Sequence, residues 1–381
     1  MNLLPLHPRH LILLVAAGVT VGLPNTESAP APAGVIGESG RQWEERYVVS
    51  RVRSYGWREL ADSTRPLTAE ERAKHGAVLG NIAAIARGPG SELYVLDRDF
   101  QKVVVFSADG QFQRLLGRGY GRGPGEFVRP RALAVAADGR VAVLDDAQGR
   151  LTLFDSAGDY LAAYAVPRPF YSIAFDGNQL LATSSVSRGD SSIVQRLNFS
   201  RGTFEPAMTA SGRYYDLNRA GEPGALGRNL TGQLLYGMAI PGSWVALRDG
   251  RIASRHGDPA YRWLVPEVIV REPVGELTTV LLGTRAIGQL SSGDYLTIYT
   301  VRPNPARPRY PDDVGSGTMG LIQDPSGQVV QLMQLLPDQP LHFVVTPDGF
   351  LVVSFDPYPE VVEYTVRKGS EEDRSGNREA L

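Results

Sequence analysis

An internal repeat between residues 81 and 164 constrains the fold more than any other feature of the sequence. Three landmarks recur at one offset of 48 residues: a strand-ending Asp, a strand-ending Phe and a turn Gly. The pairs are Asp97 and Asp145, Phe106 and Phe154, and Gly110 and Gly158. A constant offset at three landmarks indicates a repeat architecture.

Composition agrees with a chain of short strands and tight turns. The 381 residues include 42 Gly and 27 Pro, with 43% hydrophobic residues, which favours an all-β protein rather than a disordered one. The net charge of -2 argues against a nucleic-acid partner. Because the chain has no Cys, it can form no disulfide, no Cys-ligated zinc site and no thiol nucleophile.

The N-terminus has the pattern of an export signal. Arg9 and His10 precede the apolar run 11–23, and Ala31-Pro32-Ala33 has the small-x-small form of a cleavage site. We predict a signal peptide over residues 1–33 and a lead-in over 34–46. The protein is then exported to the periplasm or the extracellular space, with no membrane span in the mature chain. An uncleaved N-terminal anchor is the alternative, although thirteen apolar residues are short for a membrane span.

Six units with the order strand, Asp/Gly turn, strand, connection and third strand follow one another. They cover residues 81–116, 132–166, 171–197, 244–265, 286–335 and 341–366. Units of this size with four short strands are typical of propeller blades. In unit four, Trp244–Leu247 and Arg251–Ser254 are predicted as the first and second strands, and Tyr261–Val265 as the third.

The sixth unit contains only three strands, and a lone strand, Tyr47–Arg53, precedes the first unit. We therefore predict an all-β, six-bladed β-propeller, closed by pairing this N-terminal strand with the last blade, which removes two free sheet edges. The domain spans 47–367, and 368–381 forms a charged, disordered tail.

Unit two resembles an NHL repeat. The residues that carry the resemblance are the Gly-rich lead 117–130, the Asp138-Gly139 turn, Val141–Asp145, Arg150–Phe154 and Gly158. Glu126, between the last lead Gly and Phe127, departs from the family pattern. The resemblance implies a six-bladed propeller of the NHL/TolB-like kind. It does not imply one activity, because this fold hosts scaffolds, receptors, lactonases and lyases.

The connections between strands predict two unlike faces. Turns that join the first strand to the second, or the third to the fourth, share one face and are short; we call it the short-turn face. All other connections share the opposite, long-connection face, and the long ones are 54–80, 117–130, 200–241 and 302–318. Long loops on a rigid scaffold commonly carry function, so we expect the binding site on the long-connection face.

Arg and Tyr residues in these loops are the candidate ligand-binding residues, since both types are enriched in interface cores. The candidates are Arg118, Arg122, Tyr214, Tyr215, Tyr236 and Arg255. The Gly-rich loop is not a phosphate loop, because it leads into a strand and offers no helix N-terminus. Arg118 and Arg122 of this loop, with Arg129 and Arg131, are interpreted as solvated loop side chains. The second interpretation is that they form an anion-binding rim.

Two further sets of residues are candidates for metal binding or catalysis. His75, His256 and His342 are all predicted on the long-connection face, where three imidazoles could hold Zn²⁺; ordinary strand-end histidines are the alternative. Asp97, Asp145 and Asp356 close the second strand of three units. A recurring acid is better explained as an acceptor for main-chain N–H groups than as a catalyst.

The sequence thus favours a monomeric binding module, without cofactor or catalysis, that recognises a protein, peptide or glycan in the cell envelope. A metal-dependent enzyme of the lactonase or lyase kind is the alternative. RNA binding through the basic loops is disfavoured by the export signal and the slight acidity.

Overall fold

The structure is a computed structural model that describes residues 46–56, 78–184, 192–209, 224–239, 241–257, 282–301, 317–336, 340–355 and 358–369. These residues form twenty-four β-strands, with no helix among them. The predicted signal peptide, almost all of the lead-in and all but the first two residues of the tail lie outside the described residues.

The strands form six antiparallel four-stranded blades. In chain order they are β1 (Tyr47–Tyr55); β2 (Ile82–Arg87), β3 (Leu93–Asp97), β4 (Lys102–Phe106) and β5 (Phe112–Leu116) of blade one; β6 (Pro130–Val135), β7 (Val141–Asp145), β8 (Arg150–Phe154) and β9 (Tyr160–Ala165) of blade two; β10 (Ile173–Asp176), β11 (Gln179–Thr183), β12 (Ser192–Asn198) and β13 (Thr203–Thr209) of blade three; β14 (Ala225–Arg228), β15 (Leu234–Gly237), β16 (Trp244–Arg248) and β17 (Arg251–His256) of blade four; β18 (Leu282–Gln289), β19 (Tyr295–Val301), β20 (Gly317–Gln323) and β21 (Val329–Leu336) of blade five; and β22 (Phe343–Thr346), β23 (Gly349–Ser354) and β24 (Glu360–Lys368) of blade six. Blades four and five are joined through a parallel bridge between β14 and β18.

The 48-residue offset of the sequence is preserved in the strand pairing. Ile82 pairs with Asp97 in blade one, and Pro130 pairs with Asp145 in blade two. Both pairings contain a register shift directly after that first pair. Equal pairing and equal bulges mean that the two blades repeat one backbone geometry, since bulges redirect a strand at a defined position.

The predicted ring closure is confirmed. Strand β1 pairs antiparallel with β24, from Tyr47 opposite Lys368 to Tyr55 opposite Val361, and becomes the outermost strand of blade six. Its two terminal tyrosines are buried, at 3% and 0% exposure. The hydroxyl of Tyr55 donates to Glu363 at 2.7 Å. The N-terminal strand therefore joins the ring by main-chain pairing and by burial of two aromatic rings.

The core is divided among the interfaces between neighbouring blades. One buried cluster lies between blades one and two, and five others lie at the remaining interfaces of the ring. Strands β3, β4, β7 and β8 are almost entirely buried because both of their faces pack against neighbouring blades. This accounts for their continuous apolar runs, which lack the alternation of a half-exposed strand.

The predicted strand assignment of blade four is wrong. Trp244–Arg248 is the third strand and Arg251–His256 the fourth, while the first two strands lie at Ala225–Arg228 and Leu234–Gly237. Residues 200–241 are therefore not one long insertion. They contain the last strand of blade three and the first two strands of blade four. Residues 210–223, between β13 and β14, lie outside the described residues.

Asp145 fixes the entrance to the first strand of blade two. Its buried carboxylate accepts the main-chain N–H of Val128 at 2.6 Å, of Arg129 at 3.2 Å and of Gln148 at 3.0 Å. Asp97 accepts the corresponding N–H of Gly80 at 2.6 Å in blade one. Asp97 and Asp145 thus have the predicted structural role of an acceptor for main-chain N–H groups. Asp356 lies outside the described residues.

The two faces of the ring differ as predicted. Every described turn that joins a first to a second strand, or a third to a fourth, contains at most five residues. On the long-connection face, the described connection between β5 and β6 is longer and covers residues 117–129.

Candidate functional site

A channel along the axis of the ring contains a cavity of about 1100 Å³. The first strands of all six blades, β2, β6, β10, β14, β18 and β22, line it. A cavity of this size is at the upper end of the range of small-molecule sites in proteins. Its mouth on the long-connection face is formed by described residues that lie near the start of a first strand or just after a second strand.

Basic side chains dominate this mouth. The basic residues that line it are Arg98, Arg129, Arg131, Arg285 and His342. Asp146 is the only acidic residue among the described residues that line the cavity. The described part of the mouth therefore carries an excess of positive charge although the whole chain is slightly acidic, and such local fields concentrate anions.

The arginines are held in place by neighbouring groups. Arg131 forms an ion pair with Asp146 at 2.9 Å, and its guanidinium lies 4.5 Å from the centroid of the Tyr171 ring. The Nε of Arg98 donates to the carbonyl of Pro130 at 3.4 Å. The Nε of Arg285 donates to the hydroxyl of Thr300 at 3.0 Å. These contacts orient the guanidinium groups and so reduce the side-chain conformational entropy that would be lost when a ligand binds.

His342 lies at the same mouth, directly before β22. Burial, together with the positive charges of Arg98, Arg285 and Arg131, lowers the pKa of His342 from 6.5 to about 4. Both causes disfavour the imidazolium, since a charged ring loses hydration on burial and is repelled by nearby cations. At neutral pH the imidazole is uncharged, so one ring nitrogen can donate a hydrogen bond and the other can accept one.

We expect His342→Gln to weaken the dependence of stability on pH between 6.5 and 4. In this interval the unfolded chain binds a proton at His342 and the folded chain does not. The free energy of unfolding of the native chain therefore falls as the pH drops, by at most about 3 kcal/mol from this residue. Urea unfolding at a series of pH values measures the effect. Equal losses in the native chain and the variant would contradict this account.

Exposed apolar side chains are concentrated on the long-connection face. Those on the long-connection face are Phe100, Tyr120, Tyr171, Leu341, Phe355 and Tyr358, each at least 36% exposed. Among the described large apolar residues, the only one in a short-turn connection with comparable exposure is Leu230. The asymmetry points to the long-connection face as a contact surface, because exposed apolar patches mark binding sites.

The predicted ligand-binding residues do not form this mouth. Arg118 and Arg122 are exposed on the long-connection face but do not line the cavity. Arg255 is exposed on the outermost strand of blade four. Tyr214 and Tyr215 lie outside the described residues.

The placement of Tyr236 in a loop is wrong. It lies in β15 with no exposed surface, and its hydroxyl accepts the N–H of Gly224 at 3.0 Å. Its ring packs in the core between blades three and four, so it is closed to a surface ligand.

The histidines are not brought together as the metal hypothesis requires. His256 ends the outer strand β17, where its ring stacks on Trp244 at 4.0 Å, whereas His342 lies beside the innermost strand of blade six. The predicted position of His256 between a second and a third strand is wrong, because β17 is a fourth strand. His75 lies outside the described residues. Within the described part of the chain no group of three His, Asp or Glu residues could hold a metal ion.

Sequence reasoning did not single out Arg98 or Arg285, and it treated Arg131 as part of a loop. A usable signal was present, since Arg98 directly follows the strand-ending Asp97 and Asp146 directly follows the equivalent Asp145. Residues at this position begin the connection from the second to the third strand, next to the channel. A search of that position in every unit would have found Arg98 and Asp146, but not Arg285, which lies within β18.

Comparisons with known proteins support the fold. A family model, DUF5128, described as a 6-bladed beta-propeller, matches residues 76–192. The chain is a six-bladed β-propeller. It is similar to the crystal structure of a DUF4221-family member from Bacteroides vulgatus, with 9% identity, a TM-score of 0.55 and coverage of 85% of this chain and 99% of that one.

A second similar structure is that of a candidate exported protein from Bacteroides fragilis. It has 11% identity and a TM-score of 0.54, and the match covers 86% of this chain and 97% of that one. No curated protein matches the sequence. At these identities the similarity is one of fold, and fold alone does not define an activity.

The described residues contain no helix with the length and apolar character needed to cross a membrane.

Proposed function

We propose that this chain is an exported binding module that captures a protein, peptide or glycan ligand through an acidic group seated at the channel mouth. The observation that carries the proposal is the charge of the mouth, where the described residues bring together four arginines and a single carboxylate. That carboxylate, Asp146, is already paired with Arg131. The guanidinium groups of this mouth are complementary to a carboxylate, sulfate or phosphate group.

Arginine suits this role because its planar guanidinium pairs with such anions through two parallel hydrogen bonds. The guanidinium groups of Arg98 and Arg285 each use their Nε in a hydrogen bond to the protein. The neutral imidazole of His342 beside them can supply a further donor.

The surroundings of the mouth fit a ligand larger than an ion. Exposed aromatic rings and arginines together are the composition of interface hot spots. Tyr171 and Phe355 line the cavity and remain 36% and 52% exposed. An apolar part of the ligand can therefore cover these rings while its acidic group lies on the arginines. The apolar run at 11–23 and the similarity to a candidate exported protein support export.

The test is a calorimetric titration with poly-glutamate as an acidic peptide, polygalacturonate as an acidic glycan, and neutral dextran. We expect at least one acidic polymer to bind, dextran not to bind, and added salt to weaken the binding. Arg98→Gln and Arg285→Gln are each expected to weaken it about tenfold or more, because a hydrogen bond to a charged group contributes about 1.5–3 kcal/mol.

Arg251→Gln is the matched control, because Arg251 is exposed at the start of β17 on the short-turn face. This variant should bind as the native chain does. Binding that is unchanged in the Arg98 and Arg285 variants, or no binding of any acidic polymer, would contradict the proposal.

A further inference from the structure

Below the charged mouth, the side chains that face the channel are apolar. The partly buried ones on the first strands are Ala84, Ala86, Val135, Ala174, Leu226, Val344 and Val345. The described charged side chains that line the cavity lie at its two ends. The channel is thus a cationic mouth followed by a shaft with apolar side chains, and it takes a ligand of matching polarity.

The two ends of the shaft differ in how many basic side chains line them. At the short-turn end, Arg87 is paired with Glu363 at 2.7 Å. There Arg228 donates to the carbonyls of Phe175 and Gly232. At the mouth, four described arginines line the cavity together with a single described carboxylate. An amphipathic anion would consequently enter with its charged head at the mouth and its apolar part towards the short-turn end.

We infer that this site also binds an alkyl carboxylate, with the carboxylate on the mouth arginines and the alkyl chain in the shaft. The inference rests on the anion-binding mouth of the proposed function and adds a second, smaller class of ligand to it. Strand β2 has six residues, so at about 3.3 Å per residue the shaft is roughly 20 Å long. A terminal head and a single narrow tail fit this shape, whereas a polymer with acidic groups along its length would remain at the mouth.

The apolar wall continues to the entrance, which supports a tail that passes from the head group directly into the shaft. Leu341 and Phe355 line the cavity beside His342 and are 51% and 52% exposed. Their apolar surface leads from the head-group position to Val344, which lies on strand β22, two residues after His342. Covering such surface releases water and is favourable in proportion to the area buried.

The test is a calorimetric titration with acetate, hexanoate, octanoate and decanoate, below the concentration at which decanoate forms micelles. Each CH₂ group that leaves water strengthens binding by up to about fourfold, so affinity should rise steadily along the series. Decan-1-ol has the same chain without the charge and is expected to bind at least tenfold more weakly than decanoate.

A narrowed shaft provides a second measurement. Ala174→Leu should abolish the gain from hexanoate to decanoate while the Arg-dependent binding of an acidic polymer is retained. Ala163→Leu, at an exposed position of the outer strand β9, is the matched control and should leave the series unchanged. Val344→Phe replaces Ala174→Leu if the latter lowers the melting temperature strongly.

The possible failures are distinguishable. If poly-glutamate or polygalacturonate binds through Arg98 and Arg285 but decanoate binds no tighter than acetate, the alkyl carboxylate is wrong and the anion-binding module stands. If neither the polymers nor the carboxylates bind, both proposals are wrong. A chain-length dependence that Ala174→Leu leaves intact would place the alkyl chain outside the channel and overturn the inference.

Discussion

A chain that begins at residue 56 is expected to melt more than about 10 °C below a chain that begins at residue 46. The shorter chain lacks β1. Blade six then exposes the edge of β24 that pairs with Tyr47–Tyr55 in the longer chain. Removing each of the two buried tyrosine rings costs about 3 kcal/mol or more. Together this is at least about 6 kcal/mol, and each kcal/mol lowers the melting temperature by roughly 2 °C in a domain of this size.

A peptide with the sequence of residues 46–56 serves as the control for this truncation. Added in excess to the shortened chain, it should pair with β24 and raise the melting temperature, since a ligand of the folded state stabilises it by mass action. Scanning calorimetry of both chains gives the comparison. Melting temperatures that agree within about 2 °C would show that β1 does not contribute to the ring.

Asp145→Ala is expected to destabilise the protein by about 3 kcal/mol or more. The substitution leaves the N–H groups of Val128, Arg129 and Gln148 without their buried acceptor, and each such group costs about 1–3 kcal/mol. Urea unfolding measures the change. The variant should also bind poly-glutamate more weakly, because Asp145 holds the chain just before Arg131.

Asp155→Ala is the matched control for this substitution. Asp155 also accepts three main-chain N–H groups, from Ala157, Gly158 and Asp159 at 2.8–2.9 Å, but in an exposed turn. Because water can replace the carboxylate there, the expected loss is about 1 kcal/mol or less. Equal losses at Asp145 and Asp155 would mean that burial of the N–H groups is not the cause.

The repeat could be predicted wherever its landmarks are intact. Blades one, two, five and six keep long apolar strands with Asp-Gly or Gly turns, and their strands lie close to the predicted positions. Blade four was misassigned because its first two strands have four residues each, with the sequences ALGR and LLYG. The stronger pattern at Trp244–Arg248, followed by an Asp-Gly turn, was then taken for the start of the blade.

The site was harder to predict than the fold. His342 was a candidate, but as a metal ligand. Its neighbours in the structure are Arg98, Arg131 and Arg285, and cations oppose the binding of a metal ion. The exposed loop arginines Arg118 and Arg122 were favoured over these because long loops commonly carry function. The mouth, however, is formed by residues at the ends of strands.

The sequence by itself determined the all-β repeat, the number of blades and the closure of the ring by the N-terminal strand. These depend on short-range properties, namely apolar runs, turn residues and one strand left without a neighbour, which are visible within some fifty residues. Only the tertiary structure decided where charge accumulates. Arg98 and His342 are 244 residues apart in the chain and meet because closing the ring brings the first strands of all six blades around one axis.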